Sequence, residues 1–200
     1  MSFKALFITG ILLFVLLNAS LMGLYLVRGY AQTERLSDEL PVFASLPEFS
    51  LTSDKNTPLS KEDLLGKVWV ADFIFTSCGG PCPQMTRSMA GLAERLSLYP
   101  EVTFVSVSVD PETDTPEVLT AYGEKFGADP DRWHFLTGEL SDIQALAVEG
   151  FMIGSVDDPV IHSTKFCLVD KAGQIRGYFT GTDEVELNAL EAAIHQLNKE

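Results

Sequence analysis

Residues 68–83 read VWVADFIFTSCGGPCP, and the fold turns on this stretch. From Val68 to Phe75 it is apolar on both parities except at Asp72, the pattern of a central strand covered on both faces. Such a strand belongs to an α/β sheet with helices packed on it. The apolar run breaks at Ser77, Cys78, Gly79 and Gly80, and Pro83 stands where the first turn of a helix accepts proline. Three residues separate Cys78 from Cys82. The usual disulfide-exchange spacing is two, yet positions i and i+4 share a helix face, so the wider gap still brings both sulfurs together. The pair suits either a small soft ion or a disulfide.

Downstream, Met85, Met89, Leu92 and Leu96 follow at helical spacing with Cys82 leading their stripe, which predicts Cys82 tucked toward the core and Cys78 more exposed. Val102 to Val109 alternates as a strand, Thr115 and Pro116 open a helix running to about Phe126, and Trp133 to Leu136 is a short strand. A helix is expected over Ser141 to Val148. Thr164 to Val169 and Gln174 to Phe179 read as a hairpin turning at Lys171, Ala172 and Gly173. Asp183 with Glu186 reads as a capping pair for a last helix reaching about Asn198. Upstream, Phe49 and Leu51 alternate with polar residues, and Ser60, Glu62 and Asp63 mark a short capped helix closed by Gly66. The pattern predicts one α/β domain over residues 46–200, a mixed central sheet flanked by helices.

Ala5 to Val27 is 23 residues without a charge. A bilayer core of about 30 Å needs about 20 helical residues, whereas the apolar part of a signal peptide runs about 7 to 15. The segment therefore reads as an N-terminal transmembrane anchor rather than a cleaved leader, although Gly29 and Ala31 mimic a cleavage site. Lys4 and the amino terminus are the only positive charges before it, which keeps residues 1–4 cytoplasmic and exports the rest to the periplasmic or extracytoplasmic side. Residues 28–45 are polar and weakly patterned, a tether. The chain carries a net charge of −14, and setting aside Lys4 and Arg28, the only charged side chains up to Tyr30, leaves −16 beyond them. Nucleic acid is a poor partner for such a domain. The acidity serves solubility first, and attraction of a cation or a basic protein second.

A thiol at a helix N-terminus meets unpaired N–H groups and the positive end of the dipole, so its thiolate is favoured. Two thiolates form a soft claw for Cu(I), Zn(II) or iron clusters, and an added imidazole suits copper or zinc. Of the three histidines, His134 falls inside a strand and His195 in the last helix, while His162 stands in a loop just before a strand, where a third ligand is needed. Spacing alone leaves its role open. Cys167 lies five residues beyond His162, on the opposite face of the strand, and reads as a buried thiol. Met85 and Met89 read as core. Asp72 interrupts an apolar strand; a buried carboxylate is costly unless bonded or neutral. It reads as a proton-exchanging group or as a hydrogen-bonded structural aspartate. Asp72 and Phe73 ahead of the cysteines resemble the Asp-Phe run of thioredoxins, in which the aspartate assists proton transfer to the inner thiol.

Phe75, Thr76, Ser77, Cys78 through Cys82, Pro83 and Met85 resemble the cysteine motif of the Sco (SenC) copper-delivery proteins. Val107 to Pro111 with Asp114, Thr115 and Pro116 resembles that family's second block, and His162, Ser163 and Thr164 with Leu168 and Asp170 its histidine block. The resemblance implies a thioredoxin-like fold, membrane-anchored, that holds copper, as Cu(I), Cu(II) or both, through Cys78, Cys82 and His162. It also implies help in building the dinuclear copper centre of cytochrome c oxidase. The partner would then be the copper-accepting oxidase subunit or a related exported thiol protein. Relatives are also argued to act as thiol-disulfide reductants, which would make Cys78 and Cys82 a redox-active disulfide. The resemblance further implies that Asp110 falls near the site at a strand end, as a group around the ligands rather than among them. The sequence departs from the family in two places: Ile161 stands where many relatives carry an acid before the histidine, with Asp157 and Asp158 the nearest acids, and Asp72 is a carboxylate that mitochondrial relatives generally lack.

Overall fold

The computed structural model describes Asn18, Ser20, Met22, Gly23 and residues 40–154 and 163–199. The chain divides into two units, Met1–Leu40 and Pro41–Glu200. In the first, Asn18, Ser20, Met22 and Gly23 are helical and exposed. The expected tail 1–4, and most of the expected anchor 5–27 and tether 28–45, lie outside the described residues. Among the described residues no helix is long and apolar enough to cross a membrane.

The second unit holds β1 (Ala44–Ser45), β2 (Ser50–Ser53), β3 (Pro58–Ser60), α1 (Lys61–Leu64), β4 (Trp69–Ile74), α2 (Cys82–Arg95) and β5 (Thr103–Ser108). It continues with α3 (Pro116–Phe126), β6 (Trp133–Thr137), α4 (Leu140–Ala145), β7 (Lys165–Val169), β8 (Gln174–Thr180) and α5 (Glu184–Lys199). One sheet runs in the order β1-β8-β7-β4-β5-β6-β2-β3. β4, β5 and β6 are parallel, joined by α2 and α3, and antiparallel pairs extend the sheet on both sides. All six residues of β4 are buried, as a strand covered on both faces requires. Trp69, Ala71 and Phe73 point into one core with Cys167, Val169 and Phe151. By alternation Val70, Asp72 and Ile74 face the other side.

Three local departures from the expected pattern have physical causes. The helix expected over 141–148 ends at Ala145 and widens into a π turn over Leu146–Gly150. There the Phe151 N–H reaches the Leu146 carbonyl (2.8 Å), which swings Phe151 edge-on against Trp69 and Phe73, with ring centroids 5.9 and 5.5 Å away. At α5, Asp183 Oδ1 accepts the Val185 and Glu186 N–H groups, but the Glu186 carboxylate leaves the expected box and takes the Thr180 N–H instead. Residues ahead of 46 also join the sheet: the Phe43 N–H bonds the Ile175 carbonyl at 2.9 Å, and Ala44 and Ser45 pair with β8.

A buried ion pair locks this edge. Arg176, 6 % exposed, donates through Nη1 to Asp170 Oδ2 (2.8 Å) and through Nε to the Pro41 carbonyl (3.2 Å), while Asp170 Oδ1 accepts the Ala172 and Gln174 N–H groups. One charged side chain thus joins the β7–β8 turn to the start of the domain. Truncating one member of a buried pair strands the other charge. Arg176→Ala should therefore destabilise the domain by about 3 kcal/mol, read as a lower urea midpoint at unchanged slope.

Candidate dithiol site

β4 leaves the sheet at Ile74 and runs through residues 75–81 into α2. The Cys78 N–H turns back onto the Phe75 carbonyl (3.2 Å), Pro81 caps α2, and Pro83 occupies its first turn. Cys82 is the first helical residue and is 5 % exposed; Cys78, in the loop, is partly exposed, and both are free thiols. Buried Met85, Met89 and Leu92 anchor the helix on the sheet and fix where Cys82 stands. Gly79 and Gly80 roof the site with backbone alone; a Cβ at Gly80 would lie 3.6 Å from Cys78 Sγ, and one at Gly79 would meet nothing within 4 Å.

The two sulfurs differ sharply in acidity. Partial burial raises the Cys78 pKa, but hydrogen bonds from the Cys82 thiol, the Cys82 N–H and the Gly80 N–H (3.3 Å) outweigh it and bring it below the ordinary thiol value. The open head of a helix provides these donors. Burial first, then the Cys78 thiol and the charges of Cys78 and Asp72, push Cys82 up to about 12, with the Phe75 backbone opposing. The outer sulfur is therefore the more acidic of the two, and the inner one the more firmly protonated.

Asp72 lies beneath Cys82. It is 0 % exposed, and neither carboxylate oxygen finds a hydrogen-bond partner among the described residues. Burial lifts its pKa to about 7, and the Ser106 hydroxyl, level with it on β5, only moderates the effect. Ser106 itself accepts the Trp133 Nε1–H at 3.0 Å.

The other candidates fall apart from this group. Cys167 is buried level with Ala71, on the opposite face of the sheet from Asp72. His134 is half-buried in β6, where burial lowers its pKa. His195 packs edge-on against Tyr99 at 4.7 Å. Asp110 stands just past β5 with its N–H on Ser108 Oγ (3.1 Å); among the described residues no hydrogen bond joins its side chain to either cysteine. His162, with Asp157, Asp158 and Ile161, lies outside the described residues. The described chain resumes at Ser163 and enters β7, whose antiparallel register with β4 begins at the end of the sheet from which β4 runs toward Cys78. Among the described residues no cluster of three or more His, Cys, Asp or Glu side chains comes together to hold a metal.

Two contacts at the site were not legible in the sequence. Asp114 accepts hydrogen bonds from Thr76 and Ser108, and Thr86 Oγ1 donates to the Cys82 carbonyl (2.9 Å) while its oxygen accepts from Tyr122. Asp114 belongs to the motif block that precedes the Thr-Pro helix start, but its complete burial is a property of the structure.

A dithiol at the head of the helix that follows a central parallel strand, in a sheet closed by an antiparallel hairpin, defines a thioredoxin-like dithiol protein. The SCO1/SenC family model matches residues 38–198, and the chain belongs to that family. A Bacillus subtilis SCO1 protein homolog is 34 % identical over 149 residues, 72 % of this chain and 77 % of the relative. A Stutzerimonas stutzeri protein named for copper binding is 27 % identical over 172 residues, 79 % of each chain. The solved structure of BsSco, a Sco-family cytochrome c oxidase assembly protein in which a disulfide switch was identified, superposes with a TM-score of 0.72 at 30 % identity, covering 80 % of this chain and 98 % of that one.

Asp72 makes the stability of the domain pH-dependent. The unfolded carboxyl ionises near 3.8, while the folded one keeps its proton up to about 7. Between these values the native state binds more protons, so stability falls as pH rises, and the loss is complete above the folded value. The stability of the reduced, metal-free Asp72→Asn variant relative to wild type should rise by about 2–3 kcal/mol between pH 5 and pH 8, measured by urea denaturation at each pH.

Proposed function

We propose that the protein is a membrane-tethered copper metallochaperone that binds copper through Cys78, Cys82 and His162 and assists assembly of the dinuclear copper centre of cytochrome c oxidase. The observation that carries this reading is the Cys78–Cys82 pair, two hydrogen-bonded thiols at the head of α2, one accessible and one buried. Soft sulfur donors favour Cu(I). Membership of the SCO1/SenC family, the copper-binding relative and the oxidase-assembly neighbour point the same way. The register of β7 supports His162 as third ligand, since the chain re-enters the sheet at the dithiol end.

In this reading residues 5–27 anchor the chain, residues 1–4 stay cytoplasmic, residues 28–45 bring the chain to the domain, and the domain over 46–200 works on the periplasmic or extracytoplasmic side. Two thiolates and a neutral imidazole around Cu(I) leave a net charge of about −1, which a helix N-terminus tempers. Loading expels the Cys82 proton, so affinity rises with pH. The recipient is a copper-accepting oxidase subunit or a related exported thiol protein, and exposed Cys78 is the sulfur that meets it. Asp110 stands at the same end of the sheet, as a group around the ligands rather than among them.

Anaerobic Cu(I) titration of the full chain in detergent, against a competing chelator, tests this. One Cu(I) per chain is expected, with binding lost in the Cys78→Ser, Cys82→Ser double variant and weakened at least about tenfold in His162→Ala. Unchanged affinity in the double variant overturns the reading.

The buried carboxylate of Asp72, whose charge acts on Cys82, favours a second reading, a thiol-disulfide oxidoreductase. There Cys78 attacks a partner disulfide and Cys82 resolves the mixed disulfide, giving its proton to Asp72. This reading expects His162→Ala to leave disulfide reduction intact and Asp72→Asn to slow it at pH 8, assayed on a model disulfide without copper.

A further inference from the structure

Asp114 is completely buried (0 % exposed) and its carboxylate is saturated with donors. Oδ2 accepts the Thr76 N–H (3.0 Å) and the Ser108 hydroxyl (2.6 Å), and Oδ1 accepts the Thr76 hydroxyl. A buried carboxylate needs such donors, but their origin is specific. Two come from Thr76, two residues before Cys78, and the third comes from the last residue of β5.

Parallel pairing between β4 and β5 ends at Ile74 and Ser108. Beyond it Asp114 replaces β5 as the partner of the outgoing chain. The chain passes through Phe75 into a turn at Thr76 and Ser77, whose first residue is held by its N–H on Asp114. The Phe75 backbone bonds the Cys82 sulfur, and its carbonyl receives the Cys78 N–H at 3.2 Å. The residue that touches both cysteines is thus held in place by its neighbour's bonds to Asp114.

We infer that Asp114 is a positioning residue of the dithiol: by clamping Thr76 to the end of β5 it keeps the Phe75 backbone on both cysteines, and so sets the equilibrium between the dithiol and a Cys78–Cys82 disulfide. A disulfide requires closely placed Cβ atoms, and loosening the loop lowers the effective concentration of one thiol at the other. In the exchange, the Cys78–Cys82 S–S bond forms, two S–H bonds break, and two electrons and two protons pass to glutathione disulfide, giving two glutathione thiols. The inference rests on the reading of the two cysteines as a working pair and does not require copper.

The test uses the metal-free full chain in detergent, equilibrated in glutathione buffers, with free thiols trapped and counted. Asp114→Ala should form the disulfide with an equilibrium constant about tenfold lower than wild type. Asp170→Asn is the control: it also neutralises a buried, hydrogen-bonded carboxylate, the one paired with Arg176, but at the β7–β8 turn, by the Trp69 end of β4. It should lower the urea midpoint and leave the glutathione equilibrium within about twofold. If Asp114→Ala does not fold, Thr76→Val, which deletes one donor, should lower the constant about three- to fivefold. A constant within about twofold of wild type in the folded variant, or an equal shift in Asp170→Asn, overturns the inference. Copper titration of the same variants is read separately, so loss of the metal reading leaves a shifted glutathione equilibrium standing, and the reverse.

Discussion

The covering of β4 on both faces is the constraint from which the rest follows. A strand packed between two layers has no solvent-facing side on which to carry chemistry, so reactive groups collect where it ends. In this fold it ends at the head of α2, where the N–H groups of the first turn lack partners of their own. The two cysteines use that deficit differently. Cys78 lies in the loop and takes the donors, while Cys82 lies within the helix and takes the burial. Their contrast in acidity comes from one residue standing just outside the first turn and the other just inside it.

The same constraint explains the cost at Asp72. Placing a carboxylate in a fully covered strand, with neither oxygen bonded among the described residues, is unfavourable for the charged form. Asp114 and Asp170 are also buried, yet each is surrounded by donors. The contrast separates carboxylates whose charge is met by donors from one whose burial favours the protonated form.

Much of this was legible in the chain because hydrophobic period and turn chemistry are local signals. The apolar run ending at Cys78, the Met85–Met89–Leu92 stripe, the Thr-Pro start of α3 and the hairpin at Gly173 all follow from neighbours in sequence, and the order of Cys82 and Cys78 in burial follows from the stripe. The π turn after Ala145 was not legible, since it answers to Phe151 packing against Trp69 and Phe73, which lie far away in the chain. Likewise, the sequence near Glu186 matches a capping box, but the Thr180 N–H, freed by the end of β8, competes successfully for its carboxylate. Asp114 stood out only as part of a motif block, and its contacts could not be read, because its partners are 38 and six residues away. His162 drew its weight from motif order rather than from spacing.

The Gly79–Gly80 roof bears on kinetics. Among the described residues Gly79 and Gly80 bring only backbone to the neighbourhood of Cys78, so neither carries a side chain that an approaching group would have to displace. A group arriving from the glycine side would meet Cys78 at a rate set by diffusion and by the strongly negative charge of the protein. Discrimination between such groups would fall to that charge and to the residues flanking the glycines, because the glycines themselves offer no side chain to discriminate with.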